Sequence, residues 1–245
     1  MSEPLKMIEP EWPVSSRVHA FTTTRQGGFS EPPYESWNLA LHVGDDSIKV
    51  KKNRSILEGE LISVQEIGWL NQVHGTQVVE LTETGIQSPE ADGVFTSLRH
   101  KACAVMTADC LPVFLVNKQE TWVAAIHAGW RGLVDGILEQ AVQAYGSDSE
   151  DLIAWLGPAI SARHFEIGDD VRQLFLSQSE KDGKFFKPFK EKYLADLYGI
   201  ARRKLEARNL QVYGGDYCTY NQSELFYSYR RDGVTGRMAS VIWIE

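Results

Sequence analysis

Three cysteines are the whole thiol content of this 245-residue chain. An odd number that small, with no Cys-x-x-Cys pair, excludes a disulfide framework and points to free thiols in a reducing, cytoplasmic setting. Long apolar runs are missing too. Nothing approaches the ~20 residues a membrane span needs, and the opening MSEPLKMIEPEWPV is acidic, without the apolar core of an export signal. Basic charge is in deficit, 25 Lys and Arg against 33 Asp and Glu for a net charge of −8. That balance argues against a broad nucleic-acid surface, and a polyanionic substrate would need a local arginine pocket. Histidine is scarce at six, with no His-x-His or His-Glu-x-x-His arrangement. A multicopper oxidase needs ~10 histidines around several coppers, so copper is disfavoured. Repeats, low-complexity stretches and Pro/Ser-rich linkers are absent, and 43% hydrophobic residues suffice for one domain over 1–245.

What is present reads as mixed α/β. Val18 to Thr23 alternates like a strand and runs into Arg25-Gln26-Gly27-Gly28. Asp46 or Ser47 is placed to cap a helix through Val50, Asn53 and Leu57. Strands are predicted at Val78-Val79, Ala102 to Met106, Pro112 to Val116, Val123 to Ile126 and Leu152 to Leu156. A helix carries Ile137, Leu138, Ala141, Val142 and Tyr145 and stops at Gly146. Another opens at Gly168-Asp169-Asp170, and a further amphipathic helix is predicted over Tyr193 to Leu205. Asp232 to Gly236 reads as a hairpin turn between Phe226–Tyr229 and Ala239–Ile244. Hairpins among these strands argue against a purely parallel sheet.

Chemistry concentrates in three phrases, WLNQVHG, MTADCLPV and AAIHAGWRGL, carrying His74, Cys110 and His127. Imidazole and thiolate suit zinc, and three protein ligands leave a fourth tetrahedral position for water or substrate. The same residues also fit a metal-free hydrolase in which Cys110 is a nucleophile and a histidine its base. His42, in NLALHVG, is placed to line a pocket. Among the arginines, Arg25 precedes Gly-Gly and Arg131 lies four residues after His127, while Arg230, Arg231 and Arg237 surround the last turn. Guanidinium groups bind phosphate bidentately, which favours Arg25 and Arg131 as phosphate ligands. Asn38, Gln72 and Asp109 are further polar candidates for substrate contact.

In this order TTTRQGGFS, NLALHVGDD, WLNQVHG, ADGVFT, MTADCLPV, HAGWRGL, WLGPAI, FEIGDDV and FYSYRRDGVTGRMAS make the chain resemble the YfiH-like laccase-domain family, also called peptidoglycan editing factor or purine nucleoside phosphorylase. The resemblance covers almost the whole chain. It implies a layered α/β/β/α sandwich and a zinc site on His74, Cys110 and His127. It also implies phosphorolysis of adenosine, inosine, guanosine and 5′-methylthioadenosine, accompanied by adenosine deamination. Nucleosides and phosphate are then the partners, with no nucleic acid and no membrane. The editing-factor name implies a different role, a hydrolase acting on peptidoglycan precursors.

Overall fold

A computed structural model describes residues 5–61 and 63–245. In chain order the strands are β1 (Met7–Ile8), β2 (Val18–Thr23), β3 (Glu66–Gly68), β4 (Val78–Glu80), β5 (Gly93–Thr96), β6 (Lys101–Thr107), β7 (Leu111–Asn117), β8 (Val123–Ala128), β9 (Leu152–Leu156), β10 (Glu166–Ile167), β11 (Phe186–Phe189), β12 (Lys192–Ala195), β13 (Gln211–Gly214) and β14 (Met238–Ile244). The helices are α1 (Ser47–Glu60), α2 (Trp130–Asp135), α3 (Ile137–Tyr145), α4 (Asp169–Gln178), α5 (Leu197–Glu206) and α6 (Tyr229–Asp232).

Two large sheets form, ordered β1-β2-β14-β6-β3 and β13-β9-β7-β8-β5-β4, beside a small β10-β12-β11 sheet. Both large sheets are mixed: β3 with β6, β4 with β5 and β13 with β9 run parallel, the other pairs antiparallel. The two-residue period of a strand sorts each side chain to one layer. On β7, Leu111, Val113 and Leu115 pack with helix residues Leu133, Leu138 and Ile200, whereas Phe114 and Val116 face the other sheet. On β6, Cys103 and Val105 point between the sheets, while Ala102 and Ala104 pack with Leu57 of α1. The order is therefore α1, sheet, sheet, then α2, α3 and α5, which is the expected α/β/β/α sandwich.

Local signals explain most boundaries. The Asp46 side chain caps α1 by accepting from Ile48 N at 2.8 Å. Gly146, with φ +69°, ends α3 in the left-handed region as anticipated. Two expectations are corrected. The helix placed over Tyr193 to Leu205 begins at Leu197, because 192–195 pair with β10 and β11 as β12. Asp196 then caps α5 by accepting from Gly199 N at 3.0 Å. The terminal hairpin does not form. Both edges of β14 are taken, by β2 and β6. Tyr229–Asp232 instead makes the single turn α6, capped by Ser228, which accepts from Arg231 N at 3.2 Å.

Candidate functional site

Three chain breaks at one end of the sandwich bring the site together. His74 lies in the loop between β3 and β4, Cys110 in the turn from β6 to β7, and His127 near the end of β8. The pairing of Leu111 with Ala128 and of Pro112 with His127 carries Cys110 to the start of the Gly129 turn. One ligand atom from each of the three lies within 4.8 Å of the others. Cys110 Sγ is 3.8 Å from His74 Nε2, and the two imidazole rings stand edge to face with centroids 4.8 Å apart. Tetrahedral zinc with its usual bond lengths separates S and N ligands by roughly 3.5 Å, so this donor set fits a shared ion.

Gly129 makes the room. A Cβ there would stand 3.0 Å from His74 Cδ2 and 3.2 Å from Cys110 Sγ. Any side chain would intrude on the convergence of the three donors.

Asp92, just before β5, organises the cluster. Its Oδ1 accepts from His127 Nδ1 at 2.7 Å and from His74 N at 2.9 Å; its Oδ2 accepts from Gly75 N at 2.7 Å and Val73 N at 3.2 Å. Three successive N–H groups converge on one carboxylate because His74 adopts φ +61°, a concave anion-holding loop. Holding the proton on Nδ1 of His127 leaves Nε2 as the ligand atom. Burial pushes the Asp92 carboxyl up, but the His127 contact and charge and the Gly75 and His74 amides outweigh it and hold it below its ordinary value. The sequence reading passed over Asp92, although it stands in ADGVFT. Nothing in that phrase distinguishes it from a turn aspartate.

Burial also raises the Cys110 thiol, yet the His127 charge and hydrogen bonds from both histidines bring it down to about 6. His127 is disfavoured as a cation by burial, but the Cys110 thiolate and Asp92 raise it to about 9. Without metal the pair is thus a thiolate–imidazolium, and alkylation of Cys110 in metal-stripped protein is expected to be half-maximal near pH 6. Iodoacetamide labelling across pH 4–10, with mass-spectrometric localisation, measures it. A Cys110 profile centred at the usual ~8.5 would contradict the assignment. Cys103, buried between the sheets with its thiol pushed up by that burial, should stay unlabelled in the folded protein.

The other expected site residues differ in how their polar atoms are used. Arg25 Nε donates to Glu35 O and Nη1 to Ser223 O, both at 3.1 Å, with the guanidinium 5.0 Å from the Tyr227 ring centre. Buried Asn38 bonds the Ala40 backbone, Asp45 and Arg237 N. Gln72 donates to Met106 O at 2.8 Å and accepts from Met106 N at 2.7 Å, standing in for a strand neighbour beyond the end of β3. Asp109, at φ +89°, accepts from Thr219 Oγ1 and Arg230 N, both at 2.6 Å. These four brace the loops around the triad. Arg131 is different: it is exposed, with its guanidinium carbon 4.4 Å from the centre of the Trp130 ring. Exposed Val73 is the chain neighbour of His74, and Leu41, Tyr229 and Val234 are exposed beside His42, Arg230 and Thr235 in the chain. A groove of about 720 Å³ elsewhere, lined by Trp12, His19 and Trp243, contains none of the triad.

Residues 19–245 match a family model described as multi-copper polyphenol oxidoreductase laccase. A Haemophilus influenzae protein named purine nucleoside phosphorylase is 48% identical over 98% of this chain and 100% of its own length. The Escherichia coli purine nucleoside phosphorylase YfiH is 47% identical over 98% of this chain and 99% of its own. Among solved structures, a Neisseria meningitidis protein superposes with a TM-score of 0.94 at 43% identity, over 98% of this chain and 99% of that one.

Proposed function

Because the chain belongs to the laccase-domain family, we propose that it is a zinc-dependent purine nucleoside phosphorylase. Its substrates are adenosine, inosine, guanosine and 5′-methylthioadenosine, and it also deaminates adenosine in the cytoplasm. The observation that supports this reading is the convergence of His74, Cys110 and His127, with exposed Val73 next to His74, in a chain 48% and 47% identical to proteins named purine nucleoside phosphorylase. Apolar side chains suit the flat faces of a purine. A multicopper cluster is disfavoured, because six histidines without a His-x-His pair do not supply one, and zinc takes thiolate and imidazole ligands with a fourth position open to substrate.

Zinc bound by the triad supplies Lewis acidity beside the substrate. The chain's own residues do the rest. Asp92 holds His127 in the tautomer that presents Nε2, and Gln72 fixes the loop carrying His74 to β6. Leu41, Val73, Tyr229 and Val234 offer apolar surface to the base. In phosphorolysis a phosphate oxygen bonds to C1′ as the C1′–N9 bond breaks. The bonding pair leaves with the purine, which takes up a proton, and ribose 1-phosphate is released.

Adenosine incubated with and without phosphate tests the reading. Phosphate-dependent adenine and ribose 1-phosphate are expected, together with phosphate-independent inosine. Absence of both products would overturn the reading and favour the peptidoglycan-precursor hydrolase. Gly129→Ala provides a milder check, since its Cβ must displace His74 or Cys110 by a few tenths of an ångström. Zinc affinity should fall about 10-fold, on the order seen for disturbed ligand positioning, as read by competition with a chromogenic chelator. Unchanged affinity would mean the three residues are not ligands.

A further inference from the structure

On the wall facing Cys110, two arginines and a histidine gather without carboxylate partners. Arg237 immediately precedes β14, where Met238 pairs with Thr107, so it lies beside the Ala108–Cys110 turn. Its Nη1 donates to Thr235 O at 2.8 Å and Gly236 O at 3.0 Å, while Nε and Nη2 have no hydrogen-bond partner among the described residues. Arg54 comes from α1. Its Nε donates to Leu39 O at 2.9 Å, and its guanidinium lies 4.0 Å from the centre of the Trp69 ring. Leu39 ties the two together, because its N–H donates to Arg237 O at 3.3 Å. Among the described residues no carboxylate lies within 4.0 Å of either guanidinium.

Their fields also reach His42 on the adjacent loop. Partial burial lowers its proton affinity, and the charges of Arg237 and Arg54 lower it further. Burial likewise disfavours the Arg237 cation, and the negative charges of Cys110 and Asp109 oppose that. Asp109 is already engaged by Thr219 and Arg230 N. An acidic protein thus concentrates half-buried positive charge near Cys110, with no carboxylate in contact with it among the described residues. Two buried hydroxyls lie close in the chain to Arg237 and Cys110, Thr107 Oγ1 (residue 1% exposed) and Thr235 Oγ1 (residue 2% exposed), and neither has a hydrogen-bond partner among the described residues. A small oxyanion takes the free guanidinium N–H groups and relieves the repulsion among the cations.

We propose that Arg237 and Arg54, with His42 beside them, form the oxyanion subsite of the cleft, and that inorganic phosphate is the ion held there. The phosphate assignment rests on the phosphorylase reading above. The subsite itself does not.

The test is calorimetric titration of the zinc-loaded protein with inorganic phosphate, repeated with sulfate, for the wild type and five variants. Arg237→Gln should weaken phosphate binding about 10- to 100-fold, the range expected for a lost charge-assisted contact. Arg237→Lys should recover part of it. Arg54→Gln should weaken binding by about 10-fold or more. Because Arg54 also packs on Trp69, His42→Glu serves as an exposed, fold-sparing variant, and its negative charge should likewise abolish tight binding. Arg131→Gln should change binding less than about twofold. In turnover, Arg237→Gln should raise KM for phosphate with little change in KM for nucleoside. Phosphate binding that is absent in the wild type, unaltered by Arg237→Gln and His42→Glu, or lost only in Arg131→Gln would overturn the subsite. Binding that follows the prediction in a protein that releases no ribose 1-phosphate would keep the subsite and overturn the phosphorylase reading. Phosphorolysis indifferent to Arg237 would do the reverse.

Discussion

Cys110→Ser is expected to abolish both zinc retention and phosphorolysis. The thiolate is the only anionic donor among the three ligand residues, and its proton is already lost near pH 6 in the folded site. A serine hydroxyl keeps its proton at neutral pH and must lose it to bind comparably. Zinc affinity should therefore fall more than about 100-fold, beyond the 10–100-fold typical of residues that merely support a ligand. Elemental analysis after gel filtration, paired with base release from inosine, measures both. The same experiment decides between the two chemistries that the sequence leaves open. A metal-free Cys–His hydrolase would also lose activity in Cys110→Ser, but its wild type would stay fully active after chelator treatment. Full zinc content in Cys110→Ser, or undiminished activity in stripped wild type, would refute the metal site.

Asp92→Ala should be the most damaging substitution outside the ligands. It removes the acceptor of four donors at once: the His127 ring and the amides of Val73, His74 and Gly75. Asp92 is fully buried and His127 nearly so. Leaving buried partners of a charged group unsatisfied costs about 3–5 kcal/mol. The loss has a defined pH dependence. The Asp92 carboxyl sits below its ordinary 3.8 in the folded protein, so its contribution is present above that value and fades as pH falls through the lower folded one. Urea unfolding should show the full difference between wild type and Asp92→Ala at pH 7, and convergence of the two well below pH 4. A constant gap across that range would mean the carboxylate is not held as an anion. Asp92→Asn keeps the shape and one acceptor, so it should cost less stability while still lowering zinc affinity about 10- to 100-fold.

The resemblance across the motifs implied the layered fold, while most of its elements and the triad are legible in the sequence for local physical reasons. Strand alternation, the Asp46 cap and the Gly146 stop are written within a few residues each, and α1, α3 and the central strands follow from them. His74, Cys110 and His127 were legible because histidine and cysteine are rare here and each stands beside small or turn-forming residues. Pairing partners and charge neutralisation are not local, and only the tertiary structure decided them. Leu194 looks helical by spacing, but β11 offers it a strand edge and Asp196 restarts the helix behind it. Ala239–Ile244 looks like half of a hairpin, but β2 and β6 occupy both of its edges. The arginines show the same limit. Arg25, Arg131 and Arg237 are indistinguishable as letters, yet one is tied to loop carbonyls, one lies exposed over Trp130, and one stands half-buried without a carboxylate beside Cys110. A guanidinium's role depends on which acceptors surround it, and those come from segments as distant as Glu35 and Ser223 for Arg25. Asp92 became visible for the same reason: its importance lies in four donors brought to it from two separate parts of the chain.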